Sequence, residues 1–156
     1  MLPVEQRLKK TKDFAQMATR GRSVFGPLAT MRVRRIDSSP EPADSRIGFI
    51  ISTKIFKRAV KRNLAKRRFR GAVGELLDQI PKGYHLLFVL KPDTLTADYQ
   101  VIKDEILRLV SKIPETMSKP LKLSPRARKE MSRGKIAAGA RFVKPRVKAK
   151  KAGKDT

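Results

Sequence analysis

Residues 54–70 carry the strongest chemical signal in this 156-residue sequence. They read K-I-F-K-R-A-V-K-R-N-L-A-K-R-R-F-R, with nine Lys or Arg and no Asp or Glu. Arg62, Lys66 and Arg70 recur every four residues, so on a helix they lie on one side, about 6 Å apart along the axis. That rise is close to the distance between successive phosphates of a nucleic-acid strand. The spacing therefore predicts a row of phosphate contacts.

Asn63 is the one neutral amide in this segment and lies beside the cationic row. Lys and Arg bind phosphates, whereas an amide also reads a base edge or a sugar hydroxyl. The alternative is a solvated basic helix face, but such faces usually mix both signs of charge. We predict that the following residues bind RNA: Lys54, Lys57, Arg58, Lys61, Arg62, Asn63, Lys66, Arg67, Arg68 and Arg70.

The whole chain is strongly basic, with 38 Lys or Arg against 14 Asp or Glu and a formal charge of +24. Such a charge opposes compaction unless a polyanion neutralises it, so nucleic acid is the expected partner and an anionic membrane surface the alternative. No segment approaches the roughly 20 apolar residues of a membrane span, and residues 1–10 lack the apolar stretch of a signal peptide. With no Cys in the chain, we predict a cytoplasmic protein without disulfides or membrane association.

Residues suited to catalysis are few. His85 is the one histidine and lies in an apolar run, where a structural role is expected rather than zinc binding or a Ser-His-Asp triad. The carboxylates are scattered over loops and helices, and none forms the spaced set that two metal ions need. We predict that the protein itself has no catalytic residue, metal site, cofactor or small-molecule substrate.

The composition changes at about residue 113. Residues 114–156 hold 14 Lys or Arg, three Asp or Glu, four Pro and few large apolar residues. This stretch buries too little apolar surface to offset the entropy lost on ordering. We predict a folded domain over 1–113 and a disordered basic tail over 114–156.

Hydrophobic periodicity predicts helices and strands that alternate along the domain. The predicted order is helix (12–19, ended by Gly21), strand (23–36, with a bend), strand (46–52), helix (to residue 80), strand (84–90) and helix (opened by Thr96 or Asp98). This order favours an α+β class with a two-layer α-β sandwich.

On these residues the sequence resembles the protein component of bacterial ribonuclease P, the enzyme that trims the 5′ leader from precursor tRNA. The family's basic helix has the form A-x-x-R-N-R-x-K-R-x-x-R. The matching residues here are Ala59, Arg62, Asn63, Lys66, Arg67 and Arg70. The family's R-L-x(4)-D-F pattern also occurs, at Arg7, Leu8, Asp13 and Phe14. The resemblance covers about residues 5–112.

The resemblance implies a ferredoxin-like appearance with a left-handed crossover leading into the basic helix. It also implies that an RNA subunit, with Mg²⁺, cuts the phosphodiester, while the protein is an accessory subunit of this endonuclease. The implied partners are the ribonuclease P RNA and precursor tRNA. A ribosomal protein of similar size and charge is the main rival interpretation. A protein-only nuclease is the second, and it would need clustered carboxylates.

Three positions depart from the family pattern. Leu64 stands where the family usually has Arg, which makes Arg68 a candidate substitute. Ala18 and Met31 stand where aromatic residues are common in the cleft that receives the leader. Phe14 fits one aromatic position of that cleft, and equally fits a core residue packed with Met17. By resemblance, we predict that Phe14 and Met31 lie in the leader-binding cleft.

Overall fold

The computed structural model describes residues 2–36, 43–122 and 128–129. Its strands are β1 (Arg22–Phe25), β2 (Ala29–Arg35), β3 (Arg46–Ile51) and β4 (Tyr84–Leu90). Its helices are α1 (Thr11–Arg20), α2 (Ala59–Glu75), α3 (Tyr99–Ser111) and α4 (Ile113–Ser118). Single 3-10 turns occur at Val4–Gln6, Leu77–Gln79 and Pro92–Leu95. The predicted order is confirmed, and the long first strand is bent into β1 and β2.

The four strands form one mixed sheet in the order β1-β2-β4-β3. β2 pairs antiparallel with both β1 and β4, whereas β3 lies at the edge and pairs parallel with β4. Because parallel neighbours need a crossover, α2 connects β3 to β4. The predicted α+β class is confirmed, and the left-handed sense of the crossover stays a prediction.

The main core lies between one face of the sheet and the helices α2 and α3. Alternate residues of β4 point to this face, and the Phe88 ring packs at a tilt against Phe69 of α2, with a ring-centroid distance of 5.2 Å. Phe49 of β3 meets the same Phe69 ring edge-on at 6.1 Å. This aromatic contact fixes the rotation of α2 about its axis, and hence which of its side chains face solvent.

Helix α1 packs on the opposite face of the sheet. Met17 of α1 is fully buried there in a small cluster with Leu8 and Leu87, and Phe14 packs against the cluster while remaining partly exposed. Leu87 points to this face because its neighbours along β4, Leu86 and Phe88, belong to the main core. The second face is therefore covered by one short helix.

The domain boundary predicted at residue 113 needs correction. Ile113 is fully buried, and it begins α4 with Pro114 in the first turn, where proline is tolerated. The Arg22 guanidinium lies 3.5 Å from the Met117 sulfur, which holds α4 against β1. The folded part thus continues at least to Ser118. Most of the predicted tail, residues 123–127 and 130–156, lies outside the described residues.

Smaller corrections concern the ends of helices. Helix α1 begins at Thr11 instead of residue 12, and its N-cap, Lys10, makes no side-chain cap bond. Gly21 ends the helix with an ordinary φ of −70°, so no left-handed cap is used. Helix α2 ends at Glu75 rather than residue 80, since the chain tightens into a 3-10 turn. None of the helices in the described ranges has the length and apolarity to cross a bilayer.

Candidate nucleic-acid interface

The basic segment divides into a loop and the first part of α2. Residues 52–58 form the loop, anchored by Phe56, which is 2% exposed and donates its N–H to the Ser52 carbonyl at 3.0 Å. Lys54, Lys57 and Arg58 remain exposed around that anchor. The helix therefore begins at Ala59, five residues after the start of the segment, because burial of Phe56 turns the chain first.

The predicted row of Arg62, Lys66 and Arg70 lies along the flank of α2, and all three side chains are half-buried. Arg62 Nη1 donates to the carbonyl oxygens of Phe56 at 2.8 Å and Lys57 at 2.9 Å. The Arg70 guanidinium carbon lies 5.9 Å from the centroid of the Phe49 ring. Both ends of the row are thus held in position by the fold, which lowers the entropy lost when a ligand binds.

The solvent side of the same helix carries Lys61, Asn63 and Arg67, all exposed. Within the described residues, none of the nine Lys or Arg of segment 54–70 forms an ion pair with a carboxylate. Glu75, near the end of α2, is instead bound by Lys103 at 2.8 Å and by the Tyr99 hydroxyl at 2.9 Å, and these contacts lower its pKa. The exposed cations Lys61 and Arg67 are therefore available to an external anion.

The N-terminus of α2 adds to this preference for anions. Its N-cap is Arg58, which makes no side-chain cap bond, and its first turn contains no acidic residue. A helix N-terminus presents free N–H groups and a partial positive charge, which favours anions and disfavours nearby cations. Lys57, Arg58 and Lys61 are thus placed where a bound phosphate would relieve their repulsion.

Arg68 has a different role from its neighbours. Its guanidinium donates to the carbonyl oxygens of Thr94 at 3.1 Å, Leu95 at 2.9 Å and Ala97, so it joins α2 to the segment that precedes α3. Leu64 is 37% exposed on the helix, one turn before Arg68. The idea that Arg68 replaces the missing family Arg gains no support from this geometry, and its RNA contact stays a prediction.

The two predicted cleft residues lie on opposite faces of the sheet. Phe14 is on the α1 side, half-buried against Leu8, Met17 and Leu87, so it is partly core and partly accessible. Met31 is 0% exposed in the main core, on the face covered by α2 and α3. The placement of Met31 in the cleft is therefore wrong, because side chains alternate along β2 and its neighbours Thr30 and Arg32 take the cleft side.

The α1 side of the sheet also carries charged groups whose grouping the sequence analysis missed. Arg34 of β2 and Arg46 of β3 both stand opposite His85 of β4 in the register, while Arg32 Nη1 donates to the Ala18 carbonyl at 2.9 Å. His85 is 6% exposed, and burial lowers its pKa. The alternation of side chains along each strand predicts which residues share a face of that strand. The register between strands is needed to show that Arg34, His85 and Arg46 lie side by side.

A metal site is not evident in the described part of the chain. Among the residues that the structure describes, no three His, Asp or Glu side chains are grouped as metal ligands.

The sheet lies beside a helix whose Lys and Arg form no ion pair with a described carboxylate. A cationic helix on an α+β domain is typical of RNA-binding proteins. The family model for ribonuclease P matches residues 2–114 of this chain. The match spans both the cationic helix and the α1 side of the sheet. The chain therefore belongs to the ribonuclease P protein family.

Curated relatives agree with this assignment. The ribonuclease P protein component of Picosynechococcus sp. is 36% identical over 110 residues, which cover 70% of this chain and 90% of that protein. The ribonuclease P protein component of Streptomyces griseus is also 36% identical over 110 residues, covering 67% and 89%. The family match distinguishes this chain from a ribosomal protein of similar size and charge, a distinction that composition alone could not make.

Solved structures show the same fold. The RNase P protein from Thermotoga maritima superimposes with a TM-score of 0.60 at 23% identity, covering 69% of this chain and 96% of that one. The Staphylococcus aureus RNase P protein gives a TM-score of 0.58 at 21% identity, covering 71% and 96%. The fold is thus shared at a low level of sequence identity.

Proposed function

We propose that this chain is the protein subunit of ribonuclease P, which docks on the enzyme's catalytic RNA and binds the 5′ leader of precursor tRNA. In this role it is an accessory subunit of an endonuclease that matures the 5′ end of tRNA. The carrying observation is the set of nine Lys or Arg in segment 54–70, which the described carboxylates leave unpaired. The RNA subunit would supply the catalytic chemistry with Mg²⁺.

Docking is assigned to α2 and the loop before it. Arg62 is held by the Phe56 carbonyl, and Arg70 is held by the Phe49 ring. Their positive charges therefore occupy defined positions on one side of α2. Exposed Lys61 and Arg67 add charge on the solvent side, and Asn63 adds an amide able to bond a base edge or 2′-hydroxyl. Such a surface recognises the backbone of a folded RNA by charge and shape.

Leader binding is assigned to the α1 side of the sheet. That face carries Arg32, Arg34 and Arg46, and the Phe14 ring is partly accessible beside it. Unpaired nucleotides bind where cations track the phosphates and exposed apolar side chains contact the bases. A fully base-paired RNA hides its bases, so the single-stranded leader fits this face better than the tRNA body does.

Reconstitution tests the proposal. The recombinant protein is mixed with the ribonuclease P RNA of the same organism, and cleavage of a precursor tRNA is followed at moderate salt and low Mg²⁺. The protein should raise the cleavage rate under conditions where the RNA alone is slow, and it should increase affinity for the precursor over mature tRNA. Cleavage by the protein without RNA, or no effect on the RNA's activity, would contradict the proposal.

A further inference from the structure

One row of side chains crosses all four strands on the α1 side of the sheet. The register aligns Phe25 with Thr30, Thr30 with Val89, and Val89 with Ile50. Because paired residues point to the same face, these four side chains lie side by side. With strands about 4.8 Å apart, the row spans about 14 Å.

This row is left open by α1. In the neighbouring row on the same face, Leu87 is 2% exposed because α1 covers it. In the open row, Phe25 is 73% exposed and Ile50 is 39% exposed. Thr30 and Val89, which lie between these two ends, are half-buried, so the row is partly accessible along its length. Exposed apolar residues that share one face mark a binding surface more often than scattered ones do.

The charges around the row identify the occupant. At the Ile50 end, β3 stops at Ile51 and leads directly into the basic loop that precedes α2. At the Phe25 end, Lys91 Nζ donates to the Gly26 carbonyl at 2.6 Å. The carboxylate next to Gly26 belongs to Glu105, and Arg108 neutralises it through two hydrogen bonds of 3.0 and 3.1 Å.

An apolar row that continues a cationic surface fits a polyanion with flat apolar parts. An unpaired RNA strand has this chemistry, since its bases stack on aromatic rings while its phosphates contact cations. A second protein chain would not need the basic surroundings. Continuity with the basic loop that follows β3 favours a strand that runs across the α1 side of the sheet, from the β3 edge to the β1 edge.

We propose that Phe25 is a stacking site for one unpaired nucleotide of the 5′ leader, which crosses the sheet along this row. The inference rests on the proposed function. It adds a specificity-determining residue on the edge strand β1, in a chain whose α1 carries Ala18 and whose Met31 is buried away from this face. The extra contact applies to leaders long enough to reach β1.

The test uses the reconstituted complex of protein and ribonuclease P RNA. Affinity is measured for mature tRNA and for precursors with leaders of increasing length, using wild type, Phe25→Ala and Phe25→Tyr. Val101→Ala serves as a matched control, because Val101 is 48% exposed on α3, outside this row. Above a threshold leader length, Phe25→Ala should weaken precursor binding about fivefold or more, the lower end of the effect of losing a base stack.

Mature tRNA and short-leader precursors should bind all four proteins equally, and Phe25→Tyr should keep wild-type affinity because its ring still stacks. A fluorescent adenine analogue is placed at successive positions of the leader. Wild type should quench its fluorescence at one position, and Phe25→Ala should not. If Phe25→Ala and wild type bind every precursor equally, Phe25 is not a stacking site. A loss shared by mature tRNA, or a protein dimer that Phe25→Ala dissociates, would also overturn it.

The two proposals fail in different ways. If wild type does not distinguish precursor from mature tRNA, the leader-binding function itself is wrong and the Phe25 site falls with it. If wild type distinguishes them and Phe25→Ala does so equally well, only the Phe25 site is wrong.

Discussion

The Arg70 guanidinium carbon lies 5.9 Å from the centroid of the Phe49 ring, so the last cation of the row along α2 contacts an aromatic residue that packs against the core. Phe49 also stacks on Phe88, with their ring centroids 6.0 Å apart. The position of Arg70 therefore depends on core packing as well as on the helix that carries it. This contact links the stability of the sheet to the geometry of the surface that we propose binds RNA.

The contact predicts that Phe49→Leu weakens binding to the ribonuclease P RNA. Loss of the cation–π interaction, worth about 0.5–1 kcal/mol, should lower affinity roughly two- to fivefold. Phe88→Leu is the matched control, because Phe88 belongs to the same aromatic cluster but the Arg70 guanidinium lies over the Phe49 ring. Affinity is measured at a temperature where urea unfolding shows both variants folded. Equal affinities for the two variants would show that the Phe49 ring does not position Arg70 for binding.

Substitution of two adjacent arginines on α2 should have different effects on stability. Arg68→Ala removes hydrogen bonds to three carbonyls and should lower the free energy of unfolding by about 2–3 kcal/mol. Arg67→Ala removes an exposed side chain and should leave stability within about 0.5 kcal/mol of wild type. Urea unfolding measures both changes. A stable Arg68→Ala protein with weakened RNA binding would instead make Arg68 a docking residue.

His85 should make stability depend on pH. Burial lowers its pKa below the ordinary 6.5, nearby Arg34 and Arg46 lower it further, and Asp13 opposes them. Between the lowered folded pKa and the ordinary value, the unfolded chain therefore binds a proton at His85 that the folded protein does not bind. Stability should be full above pH 6.5 and fall as the pH drops through the lowered folded pKa, with a slope of at most about 1.4 kcal/mol per pH unit.

Urea unfolding of wild type and His85→Gln between pH 7.5 and 5.0 checks this dependence. Glu75 and Glu115, whose pKa values are lowered, titrate below this range. The His85→Gln slope should be flatter than that of wild type, whatever the stability of the variant at pH 7.5. Parallel slopes would rule out His85 as the titrating group.

The corrected boundary predicts different effects for two truncations. Removal after Ile113 deletes α4 and its contact between Met117 and Arg22, and should cost about 1–2 kcal/mol of stability. Removal after Lys122 keeps α4 and should leave stability unchanged. Residues 123–156 hold 12 Lys or Arg and two Asp or Glu, so both truncations should slow RNA association at low salt. Equal stability of the two truncated proteins would restore the boundary at residue 113.

Much of the fold follows from local patterns in the sequence. The run Tyr84–Leu90 is apolar and bounded by Gly83 and Pro92, so its identity as a strand is predictable, and the spacing Ile102, Ile106 and Leu109 marks the buried side of α3. The cationic helix is predictable for the same reason, because its signal lies in consecutive residues. Its start at Ala59 was not predictable in this way, because it depends on the burial of Phe56 by tertiary packing that no local pattern reveals.

The α1 side of the sheet was harder to predict. The Met31 error arose because the bend between β1 and β2 sets which alternate residues face the core, and the pairing Met31 with Phe88 is a long-range contact. The same register places Phe25 next to Thr30, Val89 and Ile50, which are distant in sequence. The destination of the Arg68 guanidinium likewise depends on the position of a segment almost 30 residues away.

The salt dependence of binding tests most directly the claim that α2 docks on the ribonuclease P RNA. The variant Lys61→Gln/Lys66→Gln/Arg67→Gln is compared with the control Arg35→Gln/Lys82→Gln/Lys112→Gln, which removes the same charge outside segment 54–70. The first should lower the slope of log affinity against log salt concentration by about two to three, since each lost phosphate contact changes it by about 0.7–0.9. The control should change it by less than about one. Equal slopes for the two variants would contradict docking through α2.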